Sequence, residues 1–245
     1  MPATKYIIEI ATSDYSTTQA AVAGGADRIE LCANLFEGGT TASYGTIMAC
    51  RQDFDVLLYP IIRPRGGDFL YTDEEFSVML QDVQMCKKAG CDGIVTGILL
   101  ADGSIDVKRT AQLVAAAYPL GVTFHRAFDR CIDSHKAVAQ LIEIGCERIL
   151  TSGQQPKAID AMPLIAALNE LASGRIIIMP GSGVNKNNIK QLAEVTGCAE
   201  FHASLRGQRP SEMQYINPAF ANDAESYVNN FVDANAVMAL RETLQ

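Results

Sequence analysis

The chain reads Ile61-Ile-Arg-Pro-Arg-Gly-Gly-Asp-Phe-Leu-Tyr-Thr-Asp-Glu-Glu-Phe76 where an apolar stretch typical of a buried strand ends and a helix begins. Thr72 and Glu75, three residues apart, form a capping box, which predicts the helix start at this point. Apolar side chains then recur at helical spacing from Phe76 to Val83. A strand, a polar loop and a helix therefore follow one another directly, and the rest of the chain repeats this order.

A quasi-repeat supports the count of strands. Each copy ends a helix with glycine and enters a strand, and the copies are Gly25-Ala-Asp27, Gly90-Cys-Asp92, Gly145-Cys-Glu147 and Gly197-Cys-Ala199. They precede predicted strands two, four, six and eight. Strands joined by helices pair in parallel, and eight such units close a barrel. A doubly wound open sheet is the alternative, but no Gly-x-Gly-x-x-Gly motif opens the first helix.

The predicted fold is therefore an α/β protein, a (β/α)8 TIM barrel in one domain with an extra C-terminal helix. The barrel is expected over residues 1–209, and residues 210–245 are expected to form an irregular tail and a helix packed on the barrel. That last helix is predicted from about Ala224 to Leu244. Ser134 is the predicted cap of the fifth major helix, and Asn185 is predicted to open the seventh.

Composition and charge narrow the classes of partner. The 245 residues are 48% apolar and 20% charged, with a net charge of −8. Because nucleic-acid and anionic-membrane surfaces need clustered Lys and Arg, we expect neither partner. The N-terminus enters a strand without a signal-peptide pattern and no apolar run is long enough for a bilayer, which predicts a cytoplasmic protein. Seven cysteines without Cys-x-x-Cys spacing indicate reduced thiols.

Ligands of such barrels bind at the carboxyl ends of the strands, where this chain has many polar residues. Candidates at these ends are Glu9, Glu30, Cys32, Arg63, Arg65, His125, Arg126 and His202. Alternation along the strands places further charges inside the barrel, namely Arg28, Arg148 and Glu200. An ion-pair network that only fills the interior is the alternative to a functional role for these three.

Two kinds of ligand fit these candidates. Arginine forks suit carboxylate or phosphate, which makes Arg63, Arg65 and Arg126 candidate anion ligands, with local pairing to Asp68, Asp129 and Glu37 as the alternative. The loop containing Gly181 and Gly183 after strand seven would add backbone N–H groups and a helix N-terminus. The soft donors Cys32, His125 and His202 instead fit Cu(I). No nucleotide-binding fingerprint is present.

Several motifs together resemble the CutC-type copper homeostasis family. The matching stretches are Gly25–Asn34, Ile62–Tyr71, Val122–Asp129, Arg148–Gln154 and Glu200–Ser204. The resemblance implies a cytosolic (β/α)8 barrel, often dimeric, that handles copper. It also implies shared rim residues, which fall on Glu9, Glu30, Cys32, Arg63, Arg65, Asp68, His125, Arg126 and His202. This chain departs from the family pattern at Ala11, where members often have Cys, and at Ser182, where they have Gly.

The sequence thus leaves different functions open. The first is copper homeostasis with Cu(I) bound at the rim through Cys32 and His125 or His202. The second is an enzyme, of lyase or isomerase type, acting on a small anionic or phosphorylated metabolite, with Glu30 and His125 or His202 exchanging protons. The third is a homo-oligomer, a dimer or larger, that assembles through its C-terminal helix.

Overall fold

The computed structural model describes residues 6–220 and 227–244. Eight short parallel strands alternate with helices along the chain. The strands are β1 (Ile7–Thr12), β2 (Arg28–Leu31), β3 (Leu57–Pro60), β4 (Gly93–Thr96), β5 (Gly121–Phe124), β6 (Arg148–Thr151), β7 (Ile177–Pro180) and β8 (Glu200–Ala203). The helices between them are α1 (Tyr15–Ala23), α2 (Tyr44–Asp53), α3 (Asp73–Lys88), α4 (Val107–Ala117), α5 (Ser134–Ile144), α6 (Met162–Ala172) and α7 (Ile189–Thr196).

The strands close into a ring. Hydrogen bonds join them in the orders β3-β2-β1-β8 and β4-β5-β6-β7. A parallel bridge between Ile61 and Val95 connects β3 to β4, and β7 packs beside β8. The predicted (β/α)8 barrel is confirmed, and the open-sheet alternative is wrong because β1 pairs with β8.

Helix ends follow the sequence signals. The Thr72 hydroxyl accepts from the Glu75 N–H at 3.2 Å, and the Glu75 carboxylate accepts from the Thr72 N–H at 2.8 Å, which confirms the capping box of α3. The glycines of the quasi-repeat end α1, α3, α5 and α7 and adopt left-handed backbone angles. At α5 the cap is Asp133 rather than Ser134, because the Asp133 carboxylate accepts from the Lys136 N–H at 3.0 Å.

The barrel interior is built from charged side chains, as the strand alternation predicts. Arg28 contacts Glu200 at 2.6 Å, and Arg148 contacts the same carboxylate at 3.1 Å. The ring of Tyr59 lies 5.3 Å from each guanidinium, and its hydroxyl donates to Glu147 at 3.0 Å. Most apolar side chains of the strands face the helices, so the hydrophobic core forms a shell around this charged centre.

The C-terminal region differs from the expected single long helix. After β8 the chain forms an antiparallel ribbon of β9 (Arg206–Pro210) and β10 (Val228–Val232), and α8 (Ala234–Glu242) follows. Part of the predicted helix, 224–226, lies outside the described residues, and the residues after it form a turn and β10, which pairs with β9 instead of starting a helix. Within the described ranges, no helix combines the length and apolarity needed to cross a bilayer.

Helix α8 occupies the place of the eighth barrel helix. Its Val237 and Leu240 are fully buried, and a methyl group on Gly24 at the end of α1 would lie 2.5 Å from Val237. Arg241 contacts Asp27 at 3.0 Å and donates to the Gly25 carbonyl at 2.5 Å. The apolar face of α8 is therefore already covered by its own barrel.

Candidate active site at the barrel rim

A cavity of about 330 Å³ lies at the carboxyl ends of the strands. We call it the rim cavity. Its lining residues are Ala11, Glu30, Leu35, Gly38, Ile61, Phe69, His125, Arg126, Leu150, Ser182, Gly183, Val184, His202, Ala203, Ser204 and Arg206. Glu30, His125, His202, Arg126 and Gly183 were predicted as site residues from the sequence, and the structure brings these five together in one cavity.

His202 is hydrogen-bonded to the buried carboxylate of Glu9. Its Nδ1 lies 2.7 Å from Oε1 of Glu9, whose Oε2 accepts from Nε of Arg28 at 2.5 Å. Burial opposes the charged form of Glu9, but Arg28 and His202 outweigh it and lower the Glu9 pKa to about 2. Burial likewise lowers the His202 pKa, but Glu30 and Glu9 together raise it above the usual value. Glu9 therefore supports a cationic His202 and does not line the cavity.

Glu30 faces the other nitrogen of His202. Its Oε2 lies 3.7 Å from Nε2 of His202. Burial raises the pKa of Glu30, and the positive charge of His202 offsets this only in part. A carboxyl group with a raised pKa beside an imidazole whose pKa is also raised is a suitable pair for general acid–base chemistry.

His125 also lines the rim cavity, and its ring is uncharged. Its Nδ1 accepts a hydrogen bond from the Ala127 N–H at 3.1 Å. A methyl group on Gly97 would come within 2.5 Å of that nitrogen, so the ring sits directly against the backbone of the β4 end. Nε2 is buried and has no hydrogen-bond partner among the described residues. Burial, with Arg63 nearby, lowers the His125 pKa to about 3, and the ring is neutral.

Two arginines line the cavity: Arg126, and Arg206, which donates to the Leu35 carbonyl at 2.9 Å. Nε of Arg126 contacts Asp129 at 2.8 Å, and its Nη2 donates to the Ser152 hydroxyl at 2.8 Å. Asp129 in turn accepts from the backbone N–H groups of Ser152 and Gln154 at 2.9 and 3.2 Å. The local partner proposed as an alternative is therefore present, yet it orients the guanidinium at the cavity wall.

The loop after β7 lines the cavity through Ser182, Gly183 and Val184. Gly181 lies beneath it and donates to the Thr151 carbonyl at 2.9 Å. Ser182 has φ 77°, a left-handed angle that favours glycine. The expected helix start at Asn185 is wrong: α7 begins at Ile189, because Asn185 and Asn188 form turns by bonding the Gly183 carbonyl.

Arg63, Arg65 and Asp68 do not line the rim cavity. Arg63 is buried and donates to the carbonyls of Glu37, Gly39 and Gly67 at 2.7–2.9 Å, so it fixes two loops. Arg65 contacts Asp68 at 3.1 Å and Glu75 at 2.5 Å. Arg65 therefore follows the alternative of local pairing with acids, whereas Arg63 is held by backbone carbonyls.

Cys32 does not join the two histidines. Its thiol is buried under the loop that follows β2, where a methyl group on Gly39 would lie 3.1 Å from the sulfur. Burial and the neighbouring Glu30 raise the pKa of this thiol well above its usual value. Over residues 6–220 and 227–244, no three His, Cys, Asp or Glu side chains are grouped to hold a metal ion. As placed, these residues do not fit a closed Cu(I) site.

Two residues of the site carried too weak a signal to be singled out from the sequence. Phe69 packs against His125 with ring centroids 4.8 Å apart, and Gly97 provides the space for the His125 ring. Phe69 belongs to the stretch quoted at the start, and Gly97 directly follows β4. Only the fold shows that both lie next to a histidine from β5.

Comparison with known proteins gives consistent matches. A family model described as the CutC family matches residues 6–207. The family protein CutC of Chromobacterium violaceum is 48% identical over 97% of this chain and 98% of its own length. The human copper homeostasis protein cutC homolog is 44% identical, over 89% of this chain and 80% of its own. The crystal structure of a Streptococcus agalactiae CutC superposes with a TM-score of 0.78 at 34% identity, covering 81% of this chain and 98% of that one.

Proposed function

The chain belongs to the CutC family of copper homeostasis proteins, and from this premise we propose that it acts in the cytoplasm through chemistry in the rim cavity. The activity we propose is enzymatic, on a small anionic metabolite. One observation carries it: His202 stands between Glu9 at 2.7 Å and Glu30 at 3.7 Å, at the wall of a closed-bottomed cavity.

This arrangement supports proton transfer. Glu9 is fixed as a carboxylate by Arg28, so it keeps His202 charged and oriented. Glu30 has a raised pKa and lines the cavity, where it can reach a ligand. A pair of groups with pKa values moved in this way is typical of acid–base sites.

The anion would bind at the opposite part of the cavity. Arg126 is oriented there by Asp129, and a guanidinium binds carboxylate and phosphate with two parallel hydrogen bonds. Within the described ranges, the backbone N–H groups of Gly183 and Val184 donate to no protein acceptor. They are available to an anion, as loops after strand seven commonly are in such barrels.

A thermal-shift screen with phosphorylated and carboxylated metabolites tests this proposal. A ligand at a hundred times its Kd stabilises the protein by about 2.7 kcal/mol, which corresponds to a rise in Tm of roughly 5–11 °C for a chain of this size. Arg126→Met is expected to lose the shift. Arg175→Met is the matched control, because Arg175 bonds only carbonyls at the opposite end of the barrel. A panel without any shift would oppose the proposal.

Copper is the second candidate ligand, and family membership favours it. Cu(I) would bind as cargo through Cys32 with His125 or His202, after the buried thiol has lost its proton. Cu(I) titration against a competing chelator, with wild type and Cys32→Ser, tests the site. Cys146→Ser is the control, because Cys146 is a buried thiol at a helix end far from the rim. Equal Cu(I) affinity in all three proteins would show that Cys32 is not a ligand of the metal.

The cytoplasmic location and a homo-oligomeric state belong to the same proposal. Cell fractionation tests the first and multi-angle light scattering the second. Assembly through α8 is the least supported route, since its apolar face packs on α1. A monomer at micromolar concentration would oppose the oligomer.

A further inference from the structure

We infer that the rim cavity removes a proton from a carbon next to a carbonyl group, with Glu30 as the base and the Nε2–H of His125 as the hydrogen-bond donor to the carbonyl oxygen. The inference rests on the proposed function, because it names the reaction class and the substrate class of the same cavity. Its basis is the tautomer of His125 and the placement of Glu30 on a different wall.

The hydrogen bonds fix the tautomer of His125. The Ala127 N–H can only donate, so Nδ1 at 3.1 Å must be the acceptor and carries no proton. In a neutral ring the proton is then on Nε2. This N–H is buried in the cavity wall and has no acceptor among the described residues, although buried donors are nearly always paired. A ligand oxygen is the partner that this donor lacks.

The ring is also held rigidly in a neutral state. Phe69 packs against it with the ring planes inclined at 50°, and the Gly97 backbone leaves no room for a side chain beside Nδ1. The lowered His125 pKa agrees with a group that donates without ionising. A neutral histidine of this kind polarises a carbonyl and stabilises the oxyanion that forms when the neighbouring carbon loses a proton.

Glu30 is placed to take that proton. It comes from β2 and His125 follows β5, so β3 and β4 separate them around the ring and both side chains line the same cavity. His202 stands behind Glu30 at 3.7 Å and can exchange a proton with it. A substrate in the cavity therefore has a donor on one side and a base on another.

The step balances without a further reactant. Glu30 takes the proton from the carbon, the C–H electron pair becomes the new C=C bond, and the carbonyl π pair moves to oxygen. His125 donates to that oxygen throughout, and the proton returns from Glu30 to the same carbon, where the C=C pair forms the new C–H bond and the carbonyl is restored. The cavity is near the lower end of ligand-pocket sizes, and Arg126, held by Asp129, lines it. The substrate class is therefore a small carbonyl compound with a carboxylate or phosphate group.

Hydrogen–deuterium exchange tests the reaction without knowledge of the product. The full chain is incubated in D2O with pyruvate, 2-oxobutyrate, dihydroxyacetone phosphate and ribulose 5-phosphate, and NMR follows loss of the carbon-bound proton. We expect exchange above the buffer rate with at least one compound. Glu30→Gln should lower it by about 10²–10⁴-fold, as for loss of a general base. His125→Phe should lower it by about 10²–10³-fold, as for loss of one oxyanion donor, and His125→Gln, which keeps an N–H, by less.

The outcomes separate this inference from the proposed function. A compound that raises Tm but exchanges no proton overturns the inference and leaves ligand binding intact. Exchange that survives Glu30→Gln, or that is equal in His125→Phe and wild type, overturns the assigned roles. No shift and no exchange with any compound overturns both. Circular dichroism of each variant shows whether it is folded, and Arg175→Met should keep the wild-type rate.

Discussion

Nδ1 of His202 lies 2.7 Å from Oε1 of Glu9, at the point where the charged interior of the barrel meets the rim cavity. Glu9 is fully buried and belongs to the strand register, opposite both Arg28 and His202. One carboxylate therefore links a structural arginine to a histidine of the site. Glu9 therefore couples the ion pairs of the barrel interior to the pKa of His202.

Replacing Glu9 with Gln should uncouple these two roles. The change leaves Arg28 and His202 buried with one partner fewer, and breaking a buried pair in this way costs about 3–5 kcal/mol of unfolding free energy. The pKa of His202 should fall, because Glu9 helps to raise it. NMR titration of the histidine ring and denaturant unfolding measure the two effects. An unchanged His202 pKa would contradict the link.

Replacing the interior Arg28 should lower the free energy of unfolding far more than replacing Arg65 in the loop after β3. Arg28 is 2% exposed and contacts Glu9 and Glu200, so Arg28→Gln is expected to cost about 3–5 kcal/mol. Arg65 is 37% exposed and pairs with Asp68 and Glu75, so Arg65→Gln should cost about 1 kcal/mol or less. Urea unfolding of both variants gives the comparison, and equal losses would argue against an interior network.

Gly97 should tolerate no side chain. A methyl group there meets Nδ1 of His125 at 2.5 Å, so Gly97→Ala is expected to lose about 1–3 kcal/mol of stability and to displace the ring. Gly45→Ala is the control, because a methyl group on Gly45 in α2 would meet only the Ser43 hydroxyl, at an ordinary contact distance of 4.0 Å, and the replacement should gain about 0.5–1 kcal/mol. A neutral Gly97→Ala would mean that the ring is not held against the backbone.

His125 should make the protein less stable in mild acid. Its pKa is about 3 when folded and 6.5 ordinarily, so below pH 6.5 the unfolded chain binds a proton that the native chain does not. The stability contributed by the neutral ring is present above pH 6.5 and is lost as pH falls towards 3. Between these values wild type should lose about 1.4 kcal/mol per pH unit more than His125→Gln. Parallel pH–stability curves for the two proteins would contradict a buried neutral ring.

The sequence was sufficient for the fold because its signals are local. The glycines that end α1, α3, α5 and α7, the capping box at Thr72 and the alternation that puts Arg28 inside all depend on neighbouring residues, and the structure has each as predicted. The C-terminal helix was misjudged because its turn and strand residues also have helical spacing. Helix α7 starts late because asparagine side chains bond the loop backbone, which periodicity does not indicate.

The site was predictable only as a set of strand ends. Glu30, His125 and His202 could be placed at the rim, but the roles of the arginines could not, because each has an acid nearby in sequence. Arg63 became a loop anchor and Arg126 a cavity cation, and the difference lies in contacts with residues far along the chain, such as Gly39 and Ser152. The surroundings of Cys32 could not be predicted either, because they depend on how the loop after β2 brings Gly39 against its sulfur.

Anion binding in the rim cavity is tested most directly by calorimetric titration of the metabolite that gives the largest thermal shift into wild type and Arg126→Met. We expect one site per chain in wild type. We also expect an affinity roughly ten- to a hundredfold weaker in Arg126→Met, because the lost hydrogen bond to a charged group contributes about 1.5–3 kcal/mol. Equal affinity in the two proteins would contradict a rim cavity that binds a small anion through Arg126.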